Sequence, residues 1–236
     1  MTPLLATERL DAFYGASQIL HGIMLTVRRG EQVALIGRNG MGKTTLLRSI
    51  MGLVADRRGQ ILIDGRDVCS AAPETVARCG VALVPEGRGV FGSLDVVENL
   101  VMAARLARDG RRHWTLPRVF ELFPRLAERR RHGGHQLSGG EQQMLAIGRA
   151  LMTNPDLILI DEATEGLAPL VAQEIWRTIE AIRQEGVATI LVDKDFRALS
   201  RVADRAVVLS KGQIVFEGAP AALAAEPGLL ERHLGV

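Results

Sequence analysis

Four short apolar runs divide the chain, at residues 33–36, 81–84, 157–160 and 187–192, and only Thr189 in the last of them is polar. Runs of this length are typical of strands that are buried on both faces of a parallel sheet. Between them lie segments whose apolar residues recur at helical spacing, as in residues 170–182. The alternation predicts an α/β fold with a mostly parallel sheet and right-handed crossovers.

A different pattern marks the N-terminal part of the chain. Residues 5–10 and 23–27 alternate between apolar and polar positions, which is typical of strands with one solvated face, and residues 59–64 read as another strand. Turn residues follow the last two of these segments. We therefore expect residues 1–30 and 59–70 to form a separate antiparallel sheet.

Residues 93–132 change to helical periodicity. Two apolar stripes, the first around Val96 and Leu100 and the second around Val119 and Leu122, predict amphipathic helices. Arginines outnumber acidic residues in this region, so its surface is locally basic. That surface is either a solvated face or a contact with a partner or with anionic headgroups.

The C-terminal part of the chain predicts a hairpin and then a helix. Residues 206–209 and 213–217 read as two strands around Lys211 and Gly212. A short helical tail is expected to close the chain.

Composition narrows the class of protein. The chain has 236 residues and a formal net charge of +2, so one domain is expected and nothing indicates a nucleic-acid partner. Cys69 and Cys79 lack disulfide or metal-ligand spacing, which favours reduced thiols in a cytosolic protein. No apolar stretch is long enough to cross a bilayer, and the N-terminus lacks the pattern of a signal peptide. Any membrane role is expected to come through a partner.

The first apolar run is followed by G-R-N-G-M-G-K-T, beginning at Gly37. This spacing is that of a phosphate-binding loop between a strand and a helix. Glycines such as Gly42 bring backbone amides close to an anion, and Lys43 supplies a charge for the β and γ phosphates. Thr44 offers a hydroxyl to Mg²⁺. A glycine-rich turn that matches by chance is the alternative, and the strand before it and the helix after it argue against that.

A second segment, L-S-G-G-E-Q-Q from residue 137, opens a helix that is predicted to end near Met152. Ser138 and Glu141 have the spacing of a capping box, which is a structural explanation. That explanation leaves Gly139 and Gly140 unaccounted for, because consecutive glycines weaken a first helical turn. Bare amides at a helix N-terminus bind anions, so the chain has two helix ends suited to phosphate.

Acidic residues stand where two of the buried strands end. Asp161 and Glu162 follow one strand, and Glu86 follows another. A charge pair exposed to water is the structural alternative for the first two. In a phosphate-loop protein the favoured reading places Asp161 in the magnesium shell and gives Glu162 the task of orienting and deprotonating water.

Taken in order, the motifs G-R-N-G-M-G-K-T-T, L-S-G-G-E-Q-Q and I-L-I-D-E resemble those of the ATP-binding subunits of ABC transporters over essentially the whole chain. Further segments, such as V-P-E-G-R and G-L-A-P, are most similar to the LivF-type ATPase of branched-chain amino acid importers. The resemblance implies one P-loop ATPase domain over residues 1–236. Its core would comprise 1–92 and 133–236, and its helical subdomain would comprise 93–132 and continue into the signature helix at 138–152.

The resemblance also implies a composite ATP site. Two subunits would pack head to tail, so that the phosphate loop of one and the signature helix of the other hold the same nucleotide. Tyr14 would stack on adenine, and Lys43, Glu162 and Lys194 would be catalytic. Thr44, Asp161 and Glu86 would face Mg²⁺. The nucleotide contacts would come from Tyr14, Gly37, Asn39, Gly40, Met41, Gly42, Lys43, Thr44 and Thr45, and, toward the facing subunit, from Ser138, Gly139, Gly140 and Glu141.

Three positions depart from the pattern of the wider family. Glu86 stands where glutamine is usual, and Ala163 replaces the usual proline. Lys194 aligns with the histidine that senses the γ-phosphate. A lysine can neutralise phosphate charge but lacks the geometry of histidine, so hydrolysis at this site is expected to be slower.

The implied partners are a second, LivG-like ATPase subunit or a second copy, two transmembrane permease subunits, and through them an extracytoplasmic solute-binding protein. The implied location is peripheral, on the cytoplasmic face of the inner membrane. Alternatives are a urea or short-amide importer, a non-transport ATPase of the same type, and a cassette that binds ATP without hydrolysing it.

Overall fold

The computed structural model describes residues 2–226 and 228–229. The strands are β1 Leu5–Tyr14, β2 Ser17–Val27, β3 Gln32–Ile36, β4 Asp56–Ile63, β5 Arg66–Asp67, β6 Val81–Val84, β7 Leu157–Asp161, β8 Ala188–Val192, β9 Arg205–Ser210 and β10 Gln213–Gly218. The α-helices are α1 Lys43–Ile50, α2 Pro73–Arg78, α3 Val96–Val101, α4 Leu116–Leu122, α5 Pro124–Glu128, α6 Gly139–Met152, α7 Pro169–Gln184, α8 Phe196–Val202 and α9 Pro220–Ala224.

A mixed sheet carries the four apolar runs, in the order β10-β9-β3-β8-β7-β6. Neighbouring strands from β9 to β6 are parallel, and β10 pairs with β9 in the antiparallel sense. All residues of β3, β7 and β8 are buried, as expected of strands covered on both faces. The predicted parallel sheet and the predicted C-terminal hairpin are confirmed.

The predicted antiparallel sheet is also confirmed, with the order β2-β1-β4-β5. One side chain in two along much of β2 is buried, which is the alternation seen in the sequence. Helix α1 lies between this sheet and the mixed sheet, where its Leu46, Leu47 and Ile50 are fully buried beside Leu35 of β3. This packing fixes the helix that follows the phosphate loop.

On the other side of the mixed sheet, α6 is almost entirely buried. Helices α3, α4 and α5, from the basic region, pack against it through residues such as Leu100, Val119 and Phe123. Gly148 of α6 permits this approach, because a Cβ there would lie 2.9 Å from Val119 Cγ1. The limits of a helical subdomain at 93–132 stay a prediction.

Two expected helices differ in extent from the sequence pattern. The second apolar stripe divides into α4 and α5 at Phe123, because the following Pro124 cannot continue a helix. The predicted helical tail is present as α9, and the rest of it, at 227 and 230–236, lies outside the described residues. In the part of the chain that the structure describes, no helix has the length and apolar character to cross a bilayer.

Arg205, at the start of β9, joins three distant segments. Its guanidinium donates to Glu31 at 2.8 and 3.1 Å, to Glu217, and to the carbonyl of Thr26. Burial by itself would raise the pKa of Glu31. The hydrogen bonds from Arg205 and from the Arg28 amide, with the charges of both arginines, outweigh burial and hold that pKa below its ordinary value.

We expect Arg205→Ala to lower the free energy of unfolding by about 3 kcal/mol at neutral pH, because Glu31 would remain buried without its partner. Glu31 contributes this stability above its unfolded-state pKa of 4.5, and the contribution is lost as the pH falls through the lower folded-state value. Denaturant titrations should therefore show the difference from wild type shrinking in acid. The exposed Arg111→Ala is the control; a difference that persists in acid would contradict the assignment to Glu31.

Candidate functional site

The loop between β3 and α1 is shaped by its glycines. Gly37 has φ +153°, and a Cβ there would lie 2.3 Å from the carbonyl oxygen of Leu209, so no larger residue fits. Gly42 has φ +103° and is the N-cap of α1. Lys43 folds back over the loop and donates from Nζ to the carbonyl oxygens of Gly37, at 2.6 Å, and Arg38, at 3.0 Å. The loop therefore holds its amides and its ammonium group on one concave surface.

This surface forms one wall of a cleft of about 420 Å³. Tyr14, at the end of β1, is 47% exposed and borders the cleft. Glu86 and Glu162 reach the cleft from the ends of β6 and β7. The full lining is Tyr14, Ile19, Asn39, Gly40, Gly42, Lys43, Thr44, Thr45, Glu86 and Glu162. Tyr14, Glu86 and Glu162 thus converge on the loop from three distant parts of the chain. The lining of the cleft contains more than half of the site residues proposed from the sequence.

Met41 lies in the same loop but has a different role in the structure. Its carbonyl accepts from the Gly212 amide at 3.1 Å, and its Sδ contacts the Lys211 amide at 3.2 Å. These contacts fasten the phosphate loop to the β9–β10 turn. A contact of Met41 with nucleotide stays a prediction.

Asp161 has the surroundings of a magnesium ligand. It is 3% exposed, and its Oδ1 has no hydrogen-bond partner among the described residues. The Thr44 hydroxyl is near enough to its carboxylate to affect its pKa. Burial raises its pKa, and the nearby Glu86 adds to this, whereas Thr44 and Lys43 oppose it. A buried carboxylate oxygen beside a hydroxyl is a donor set that Mg²⁺ prefers, so Thr44 and Asp161 fit the metal.

Glu162 follows Asp161 in a left-handed backbone conformation, with φ +54°. Few residues with side chains adopt it, and such strain is concentrated at functional sites. A hydrogen bond with Glu165, then burial, raise the pKa of Glu162 to about 7, while Lys194 lowers it. A carboxylate with such a pKa at the mouth of the cleft is suited to accept a proton from water.

Lys194 stands beside the two glutamates, outside the residues that line the cleft. Its ammonium forms an ion pair with Glu165 and lies 3.6 Å from Oε2 of Glu162. Glu165 holds the pKa of Lys194 above its ordinary value, with a smaller contribution from Glu162. In this arrangement Lys194 lies beside the proposed proton acceptor, and its contact with phosphate stays a prediction.

The start of α6 forms the capping box predicted for the L-S-G-G-E-Q-Q segment, and the binding of phosphate by this helix end stays a prediction. Ser138 is the N-cap; its amide donates to Glu141 Oε2 at 2.8 Å, and the Glu141 amide donates to Ser138 Oγ at 3.3 Å, so the capping box is formed. Gly140 is required for packing as well, because a Cβ there would lie 2.3 Å from Cγ1 of Val171 in α7. Gly139 and Gly140 lie outside the cleft lined by the phosphate loop.

Sequence reasoning missed two residues that shape the catalytic end of the cleft. A carboxylate oxygen of Glu165 lies within 4.8 Å of one of Glu162, and Asp193 accepts from both the amide and the hydroxyl of Thr164, at 2.8 and 2.7 Å. The only signal for Asp193 was its position at the end of a buried strand. Glu165 carried no signal, since its contact depends on the turn after β7.

A family model described as ABC transporter matches residues 20–165, more than half of the chain. The chain belongs to the ABC transporter family. Within this family it is one of the ATP-hydrolysing subunits, which confirms the resemblance drawn from the three motifs.

Individual proteins extend the match over almost the full length. The chain is 42% identical over 98% of its length, and 100% of the relative, to the high-affinity branched-chain amino acid transport ATP-binding protein BraG of Pseudomonas aeruginosa. It is 33% identical over 91% of its length, and 92% of the relative, to a branched-chain amino acid transport ATP-binding protein, LivF, of Archaeoglobus fulgidus. A solved ATP-binding subunit of an ABC transporter superposes with a TM-score of 0.81 at 32% identity, covering 96% of this chain and 94% of that one.

Proposed function

We propose that this ABC ATPase energises the import of branched-chain or other hydrophobic amino acids. The observation that carries the proposal is the 42% identity to BraG, which extends over 98% of this chain and all of the relative. The convergence of Tyr14, the phosphate loop, Glu86 and Glu162 on one cleft supports the ATPase chemistry.

In the proposed reaction, Tyr14 stacks on the adenine ring and the amides of the phosphate loop hold the phosphates. Lys43 turns from its loop carbonyls toward the β and γ phosphates. Thr44 and Asp161 would hold Mg²⁺, which would neutralise phosphate charge, and Glu86 would face the same region. Glu162 orients a water molecule for in-line attack and accepts its proton.

Catalysis requires a facing subunit, either a LivG-like ATPase or a second copy. Ser138, Gly139 and Gly140 at the start of α6 then meet the γ-phosphate held by that subunit, where helix amides stabilise negative charge. Two transmembrane permease subunits anchor the pair at the cytoplasmic face of the membrane, and a solute-binding protein delivers the amino acid from the other side.

Purification from membranes with the chains that accompany it tests the proposal. We expect permease subunits to co-purify, and the reconstituted complex to hydrolyse ATP faster when a solute-binding protein loaded with leucine, isoleucine or valine is added. Stimulation by urea or short amides instead would identify the alternative importer. Full turnover by the lone chain, without any membrane partner, would contradict a transport role.

Replacing Lys194 with alanine is expected to lower turnover less than replacing Glu162 with glutamine. Lys194 is an exposed group that acts on Glu162 and Glu165 through charge, whereas Glu162 itself contacts the reacting water. Steady-state ATPase rates of both variants in the same complex decide the order. A larger loss at Lys194 would make it the dominant catalytic group and overturn this ranking.

A further inference from the structure

The turn after β6 carries an arginine in an unusual conformation. Arg88 has φ +66°, and its amide donates to the carbonyl oxygen of Pro85 at 3.2 Å, which closes a tight turn around Glu86 and Gly87. Glu86 lines the nucleotide cleft. Arg88 is not among the residues that line that cleft, but it borders an adjacent cavity of about 470 Å³ together with Glu86 and Glu162.

Arg88 reaches α6 at three places along the helix. Its guanidinium lies flat on Gly139, where a Cβ would be 2.9 to 3.2 Å from Nη1, Nη2 and Cζ. Nη1 donates to Oε1 of Gln142 at 3.3 Å. Its carbonyl accepts from Nη2 of Arg149 at 3.4 Å. Both the side chain and the backbone of Arg88 are thus fastened to the same helix.

The partner residues are themselves held. Gln142 donates from Nε2 to the carbonyl of Gly134 at 3.1 Å, and Arg149 lies against the ring of Phe91, 5.1 Å from its centroid. The turn and α6, from Gly139 to Arg149, consequently form one connected unit. A displacement of Glu86 must either move the start of α6 or break these contacts.

Electrostatic stabilisation does not explain why Arg88 lies at the N-terminus of α6. A guanidinium next to a helix N-terminus is unfavourable, because that end of the helix is itself positive. Arg88 forms no ion pair among the described residues that would compensate. The cost is removed when an anion approaches the same helix end, and in the proposed dimer that anion is the γ-phosphate of the facing subunit.

We propose that Arg88 is a positioning residue of the composite ATP site, linking the Glu86 turn at this chain's own nucleotide to the first turn of α6 that meets the facing subunit's nucleotide. The inference rests on the proposed function. Its consequence is cooperativity: occupation of one site orients the amides presented to the other.

The test uses the complex of this chain with its co-purified subunits and compares Arg88→Ala, Arg88→Lys and the exposed control Arg66→Ala. We expect Arg88→Ala to bind ATP in the lone chain as the wild type does, since Arg88 does not line the cleft. In the complex its kcat should fall by about 10-fold and its Hill coefficient should approach 1. Arg88→Lys should behave like the alanine variant, because an ammonium cannot lie flat on Gly139 and bond Gln142 at once.

Several results would overturn the proposal. They are an unchanged Hill coefficient and kcat in Arg88→Ala, full rescue by lysine, or non-cooperative hydrolysis in the unmodified complex. If Arg88→Ala unfolds at lower temperature, Gln142→Leu replaces it as the test, and it should lower the Hill coefficient in the same direction. Glu162→Gln in the same complex separates the two levels: if it remains active, the catalytic role proposed for Glu162 fails, and if it is inactive while Arg88→Ala is normal, only this inference fails.

Discussion

Replacing Glu162 with glutamine is expected to lower ATP turnover by at least about 100-fold while ATP binding is retained. Glutamine preserves the size of the side chain and its hydrogen bonding to water but cannot accept a proton at neutral pH. The residue borders the cleft beside Lys43 and Thr44 without contributing to the loop that holds phosphate. Hydrolysis should therefore be blocked after ATP has bound, and ATP should accumulate in a closed dimer.

The measurement combines steady-state turnover of the complex with the molar mass of the variant in the presence of ATP and Mg²⁺. Glu74→Gln in α2, an exposed glutamate far along the chain, is the matched control and should resemble the wild type in both assays. Wild-type-like turnover in Glu162→Gln would remove Glu162 from its assigned role. A loss of ATP binding in this variant would instead indicate that the left-handed turn at Glu162 had changed.

The strands were predictable because the burial of a strand determines the pattern of apolar and polar residues within a few consecutive positions. Residues 33–36 are apolar without interruption and residues 187–192 are apolar apart from Thr189, and these segments form β3 and β8 in the interior of the mixed sheet. The alternation at 23–27 likewise marked a strand with one solvated face. By contrast, the pairing of Arg205 with Glu31 joins residues 174 positions apart, and no local pattern indicates it.

The same distinction applies to the site. The phosphate loop is a local motif with a fixed spacing between a strand and a helix, so Lys43 and Thr44 could be placed from sequence alone. The environment of Glu162 could not be, because it depends on how the turn after β7 brings Glu165 and Lys194 together. The contact of Arg88 with Gly139 also depends on tertiary packing, although the sequence already showed that a glycine is unusual in the first turn of a helix.

Replacing Lys43 with alanine should act at the earlier step, and here ATP binding itself is expected to weaken. Its ammonium is the charge inside the phosphate loop; burial lowers its pKa, while Glu162 and Asp161 oppose that shift. Loss of charged hydrogen bonds to two phosphates corresponds to about 3 kcal/mol, or about 100-fold in Kd. Turnover should be lost because ATP binds too weakly, whereas Glu162→Gln is expected to lose turnover while ATP binding is retained.

Calorimetric titration of the lone chain with ATP and Mg²⁺ measures this loss without requiring the facing subunit. Lys211→Gln is the control, since it also removes a lysine charge near the loop but leaves the Lys211 amide that contacts Met41. The thermal unfolding temperature should change little in Lys43→Ala, because the carbonyls of Gly37 and Arg38 that it releases can bond to water. If Lys43→Ala bound ATP as tightly as Lys211→Gln, the loop that begins at Gly37 would not be the phosphate site, and the position of the nucleotide in this fold would have to be sought elsewhere.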